Sequence, residues 1–322
     1  MKKIYKRLFL TLAIIFACVP ALFVFSGCNN RDRDPDIVVT VFPLYDWTRV
    51  ILGDNPSGLT VRYLLSSGVD LHNYQPSVQD FAAISTTSLF LWIGGKSDGW
   101  ALNALANPRN SDRRDVALMR LLSLDETMLF PELDGPDAPD ECCGGANHDE
   151  HVWLSLRFAM RFVQTIRDEI ILLDPQNADV YYANAAYYIE QLQQLDTQFE
   201  YVVENAPRDT ILVADRFPFL YLAVDYGINF FAAFDGCAAL VEVTPARLAF
   251  LAGRVDALAL DVILIVDNRP LANAVINASN RTPQILTLTC FQSVSSVHIS
   301  AGKTYLDGMR ANLEALAKAL DI

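Results

Sequence analysis

With 322 residues, 52% of them hydrophobic and 20% charged, the chain can bury one large core or two smaller ones. Its formal charge of −13 comes with no cluster of Lys and Arg beyond the N-terminus. That excludes the basic face a phosphate backbone requires and argues against nucleic acid as a partner. Acidity suits solubility or the attraction of cations.

Lys2, Lys3, Lys6 and Arg7 precede an almost wholly apolar run, Leu8 to Phe25, which ends in Ser26-Gly27-Cys28. A basic start, an apolar run and small residues before a cut form a secretory signal. A membrane anchor is the alternative, since the run nearly reaches spanning length. The Ser-Gly-Cys ending resembles a bacterial lipobox, with Phe25 where an aliphatic residue is usual, which makes Cys28 the expected lipidation site. Residues 1–27 are then the signal peptide, and 28–36 a polar tether to the membrane. The chain is expected outside the cytoplasm, where disulfides among Cys142, Cys143, Cys237 and Cys290 are permitted but no pairing is indicated.

Apolar β-rich runs at Ile37–Phe42, Thr60–Leu65 and Leu89–Ile93 alternate with helical patterns over Tyr45–Leu52, from Ser77 and over Trp100–Ala106. The third strand ends in Gly94-Gly95-Lys96-Ser97. This is no phosphate loop, because Phe90 stands where a further glycine is needed. Residues 131–147 are rich in Pro, Gly and acid and read as an exposed loop, with a helix from Leu154 after it. From Asp174 to Asn205, Tyr181, Ala185, Tyr188, Leu192, Leu195, Phe199 and Val202 fall alternately four and three apart, one apolar seam on a helix of roughly 45 Å. Asp174-Pro175 reads as its start, carboxylate cap then proline. Beyond it, strands at 210–214, 229–234, 262–266 and 284–288 alternate with helices at 217–226, 245–258, 271–279 and 303–320. The expected architecture is α/β: two similar lobes, 37–173 and 208–322, each a mostly parallel sheet covered by helices. One long helix, 174–207, joins them as a rigid strut.

The four histidines are His72, His148, His151 and His298. His72 follows a strand and His151 the acidic loop, while Asp215, Glu242 and Thr289-Cys290 lie at or after strand ends. Ligands gather at the carboxyl ends of parallel strands, so residues from both lobes are candidates for one cleft. Imidazole and carboxylate together suit Zn²⁺ or Mn²⁺, although spacing alone makes this weak. No nucleophile–base pair suggests an enzyme.

Pro43–Trp47 (PLYDW), Ser67–Ser77 (SGVDLHNYQPS), Gly94–Trp100 (GGKSDGW), Asp149–Leu156 (DEHVWLSL), Ala214–Gly227 (ADRFPFLYLAVDYG) and Thr304–Leu316 (TYLDGMRANLEAL) occur in this order. Together they resemble the metal-binding lipoproteins of zinc/manganese ABC importers over nearly the whole exported chain. The resemblance implies two α/β lobes joined by a long helix, with an ion held between them and handed to a membrane permease. It carries His72 and His151 over as metal ligands. In the second lobe the pattern breaks, with Arg216 where a third His or Glu is usual and Thr289 at the expected aspartate. Glu242 and Asp215 are the candidate replacements, followed by Cys237 and Cys290, while either carboxylate is alternatively the salt-bridge partner of Arg216. Of the His-rich loop of zinc members only His148 remains, beside Cys142 and Cys143. The expected function is capture of Zn²⁺, or alternatively Mn²⁺, by a monomer. The competing readings are a relative that has lost tight metal binding and serves as an adhesion or scaffold protein, and, more remotely, a zinc hydrolase.

Overall fold

A computed structural model describes residues 34–130, 133–136, 148–236 and 243–322, of which 35–322 form one compact unit. Its first half runs β1 (Ile37–Val39), α1 (Phe42–Leu52), β2 (Val61–Tyr63), α2 (Val78–Thr86), β3 (Leu89–Trp92), α3 (Ala101–Leu105), β4 (Arg114–Ala117) and α4 (Leu156–Leu173). The long helix α5 (Ala178–Asn205) follows. The second half runs β5 (Thr210–Phe217), α6 (Leu220–Tyr226), β6 (Asn229–Asp235), α7 (Pro245–Ala257), β7 (Val262–Ile265), α8 (Arg269–Ala278), β8 (Gln284–Thr287), α9 (Ser296–Ser300) and α10 (Tyr305–Ala319).

Each half folds around a four-stranded, wholly parallel sheet, in the orders β2-β1-β3-β4 and β6-β5-β7-β8. Helical crossovers cover both faces of such sheets, which explains why β1, β3 and β7 read as unbroken apolar runs. The second sheet shows how alternation divides labour. Ile211 and Val213 of β5, with Val262 and Leu264 of β7, enter the main core, while Leu212, Ala214, Ile263 and Ile265 point to a smaller one with Leu251, Val255 and Val275. The main core is continuous from Ile37 to Leu320 and takes in residues of both sheets and of α5.

Helix α5 packs against α1, α4 and α10, burying Tyr181, Ala185, Tyr188, Leu192, Leu195 and Phe199. The predicted seam is therefore the buried face, with Val202 only half-buried near the end. The helix start differs from the expectation. Pro175–Asn177 form a separate 3-10 turn. The Asp174 carboxylate accepts hydrogen bonds from the Asn177 side chain (2.6 Å) and the Tyr181 hydroxyl (2.7 Å) instead of capping the helix amides. Strand β4 has no counterpart among the predicted elements. It is an edge strand whose Arg114 and Asp115 are exposed, so its sequence lacks the apolar run of the central strands. Strand β5 runs three residues beyond its predicted end, through a register irregularity between Val213 and Arg216, which puts Arg216 on the sheet. Among the described residues no helix is long and apolar enough to cross a membrane.

Candidate metal-capture site

Two short turns place the two imidazoles. After β2, Leu71–Asn73 form a 3-10 turn in which the Asp70 carboxylate accepts from the His72 amide (3.0 Å), and buried Leu71 anchors it. A second 3-10 turn, Val152–Leu154, sinks three apolar side chains and leaves His151 fully buried at its mouth. The ring centroids of His72 and His151 stand 5.6 Å apart.

Between them lies Gln292. Its side-chain nitrogen is 2.7 Å from His72 Nε2 and 2.6 Å from His151 Nε2. On their far sides the rings are held by Ser97 Oγ, 2.6 Å from His72 Nδ1, and by the Asp149 carboxylate against His151 Nδ1. Asp149 is fully buried and also accepts from the His151 amide (2.9 Å). A buried carboxylate at Nδ1 keeps the proton there and leaves Nε2 as an acceptor. Gln292 can then donate one amide hydrogen to each ring, while its carbonyl accepts from the Cys290 thiol (3.0 Å). Burial, and after it the neighbouring His151, hold the His72 pKa well below the ordinary imidazole value, so the ring is neutral at neutral pH.

The backbone that delivers Gln292 is unusual. Phe291 is buried in the left-handed region, φ 64°, where a bulky side chain costs of order 1–3 kcal/mol unless its surroundings hold it. They do so through stacking on Phe42 and packing on Tyr305, with Gly308 leaving room for the ring. Trp153 Nε1 donates to the Cys290 carbonyl (2.9 Å), and the Trp153 carbonyl accepts from the Tyr305 hydroxyl (2.6 Å). The turn that carries His151 thus also fixes the loop that carries Gln292.

Of the other expected site residues, Asp215 and Thr289 are engaged with other groups. Asp215 is spent on backbone: one oxygen accepts from the Arg216 amide (2.8 Å), the other from Val266, Asp267 and Asn268 (3.0, 2.8 and 2.7 Å). It secures the turn from β7 into α8, and its hydrogen bonds include neither histidine. Nor is it the ion-pair partner of Arg216, whose guanidinium lies 3.1 Å from Asp70 Oδ2 and 3.3 Å from Asp267 Oδ2. Thr289 is held by Asn312 through its backbone and receives Lys303 Nζ at its hydroxyl (3.4 Å). The buried residue that meets both imidazoles is Gln292, three positions on. No motif signalled it, because its position depends on the left-handed turn at Phe291. Cys290 is buried, and burial pushes its thiol pKa up against the pull of Arg216. The His298 ring meets Ser295 at the start of α9, and His148 bridges to Leu129. Glu242, Cys28, Cys142, Cys143 and Cys237 lie outside the described residues. Among the described residues no three His, Cys, Asp or Glu side chains are grouped to hold a metal. The pair of histidines closed by an amide is what the fold presents.

Residues 37–319 match the family model described as zinc-uptake complex component A, periplasmic (ZnuA). The chain is 28% identical over 318 residues to the zinc-binding lipoprotein AdcA of Streptococcus pneumoniae, covering 96% of this chain and 61% of AdcA. It thus spans only about three fifths of that relative's length. It is 23% identical over 314 residues to the manganese-binding lipoprotein MntA of Halalkalibacterium halodurans, covering 95% and 97% of the two chains. The crystal structure of the Zn(II)-bound ZnuA-like domain of S. pneumoniae AdcA superposes with a TM-score of 0.71 at 26% identity, over 90% of this chain and all of that domain. The family match over residues 37–319, two parallel-sheet lobes and the long connecting helix agree: the chain belongs to the zinc-uptake complex component A family of metal-binding proteins.

Proposed function

We propose that this protein captures a divalent metal ion, Zn²⁺ in preference to Mn²⁺, and passes it to the permease of an ABC importer. Lipidated Cys28 would hold the monomer at the outer face of the bacterial membrane. The observation that carries the reading is the convergence of the His72 and His151 Nε2 lone pairs on one point, occupied by the Gln292 amide. Neutral imidazoles with the proton on Nδ1 are the form in which histidine ligates a metal. The names of AdcA and MntA point to the same two ions.

Capture then requires the Gln292 amide to turn over, offering Oε1 to the ion and NH₂ to Cys290. The sulfur accommodates both states, as donor to the carbonyl and acceptor from the amide. Two imidazole nitrogens favour Zn²⁺ over the harder Mn²⁺. Arg216 supplies no ligand. Its guanidinium balances Asp70 and Asp267, and Glu242 remains a candidate to complete the shell from the C-terminal half. Nothing in this cycle makes or breaks a covalent bond, so the protein acts as a carrier and not as an enzyme.

Calorimetric titration of chelator-treated protein with Zn²⁺ and Mn²⁺ tests the reading. We expect a zinc Kd below about 1 μM, equivalent to roughly 8 kcal/mol, and weaker manganese binding. Absence of binding to both ions would overturn it.

A further inference from the structure

We propose that the segment from Arg216 to Tyr221 is a clamp by which the C-terminal half positions both imidazoles without itself ligating the ion. This rests on the metal-capture reading for its purpose but not for its test. Each histidine closes the same three-residue device, Asp70-Leu71-His72 and Asp149-Glu150-His151. In both, the aspartate Oδ1 accepts from the histidine amide two residues on, at 3.0 and 2.9 Å. A carboxylate bonded to the backbone two residues ahead forms an Asx turn, so the place of each aspartate sets the place of its ring.

Both aspartates are gripped from the other half, and from one stretch of it. Arg216, 7% exposed near the end of β5, is tied to Asp267 of its own half (3.3 Å) and reaches across to Asp70 Oδ2 (3.1 Å). Asp70 thus gives one oxygen to the His72 turn and the other to the guanidinium. Five residues on, the fully buried Tyr221 at the start of α6 donates its hydroxyl hydrogen to the Asp149 carbonyl (2.9 Å) and accepts from the Met128 amide (3.2 Å). The Asp149 amide donates in turn to the Met128 carbonyl (2.7 Å), so the hydroxyl locks a pairing already made. The stretch between the two grips is itself held. Phe217 stacks on Phe230 with ring centroids 3.8 Å apart, and the Tyr221 ring packs edge-on against Phe158. A Cβ at Gly236 would lie 3.1 Å from both the Phe217 carbonyl and His151 Cε1, which shows how closely the clamp passes the ring it serves.

Amide hydrogen exchange of the metal-free protein tests this, with the core amides of β1 and β7 as the measure of global unfolding. Tyr221→Phe keeps the ring and removes the hydroxyl, and Arg216→Gln removes the charge. Relative to the core, the His151 amide should exchange roughly 5–10-fold faster in Tyr221→Phe, the effect of losing one hydrogen bond, while the His72 amide holds. In Arg216→Gln the pattern should reverse. Arg216→Lys, which keeps a cation opposite Asp70, should protect the His72 amide again. Tyr221→Phe changes no charge, so its zinc affinity should fall through position alone, by about 10-fold, the lower end for an outer partner of a ligating histidine. Exchange that quickens at both histidines alike, or at neither, would overturn the clamp. So would a zinc-binding wild type that Tyr221→Phe leaves unweakened. The separated pattern in a protein whose wild type binds no zinc would sustain the clamp and sink the metal-capture reading instead.

Discussion

The two halves of the molecule share a sheet topology but treat the site differently. The N-terminal half brings two imidazoles, each with its outer nitrogen already engaged, one by Asp149 and one by Ser97. The described part of the C-terminal half brings an amide, a protonated thiol and a guanidinium tied to Asp70 and Asp267. On the metal-capture reading, affinity would reside in the first half, and the second would decide how readily the ion enters and leaves.

The largest effect should come from removing the two imidazoles of the first half. Replacing both His72 and His151 by Ala should lower zinc affinity by at least about 1000-fold, or roughly 4 kcal/mol. Titration calorimetry checks this, and retention of binding would move the ion to other ligands. Second in size is a contact that joins the halves. Asp46 of α1 accepts from the Tyr305 amide at the start of α10 (2.9 Å), and burial raises its pKa from 3.8 to about 6. The folded chain binds this proton more tightly than the unfolded one. The resulting stabilisation is complete below about pH 4 and is lost as pH rises through about 6. Asp46→Asn keeps an acceptor for Tyr305 without the charge. It should match the wild type near pH 4 and exceed it by up to ~3 kcal/mol at pH 7.5 in denaturant titrations.

Changing the second half should sharpen the contrast. Gln292→Glu puts a carboxylate between the two imidazoles. It should tighten zinc at pH 7.5 by about 10–100-fold, some 1.4–2.8 kcal/mol, and slow release in stopped-flow chelator competition. No gain would mean that Gln292 stays outside the ion's shell. The smallest change is Trp153→Phe, which loses one hydrogen bond to the Cys290 carbonyl, about 1 kcal/mol of stability by thermal unfolding. Zinc affinity should move little, since the Phe42 and Tyr305 contacts still hold Phe291.

What the sequence disclosed follows from local physics. Central strands buried on both faces announce themselves as apolar runs, and the seam of α5 as a four-and-three spacing, because neighbours in sequence share one environment. His72 and His151 were singled out through the motifs around them, SGVDLHNYQPS and DEHVWLSL, because their places after a strand and a loop made only a weak case. Strand β4 escaped because an edge strand keeps its charges in water. Asp215 looked like a free carboxylate at a strand end. Its four backbone donors include three from a turn some fifty residues away, and no local pattern encodes that. Gln292 was hidden for a similar reason. An amide becomes the centre of a site only when Phe291 is held left-handed by aromatic rings from opposite ends of the chain.

The main core that runs unbroken through both sheets and α5 also bears on how the protein melts. Two lobes with separate interiors could lose their structure one after the other. Here the same apolar side chains serve both, so neither half can open without exposing the interior of its neighbour. Heating should then give a single calorimetric transition, and bound zinc should raise its midpoint as a whole. An ion resting on His72 and His151 would thereby steady α10 at the far end of the sequence as firmly as the turns that touch it.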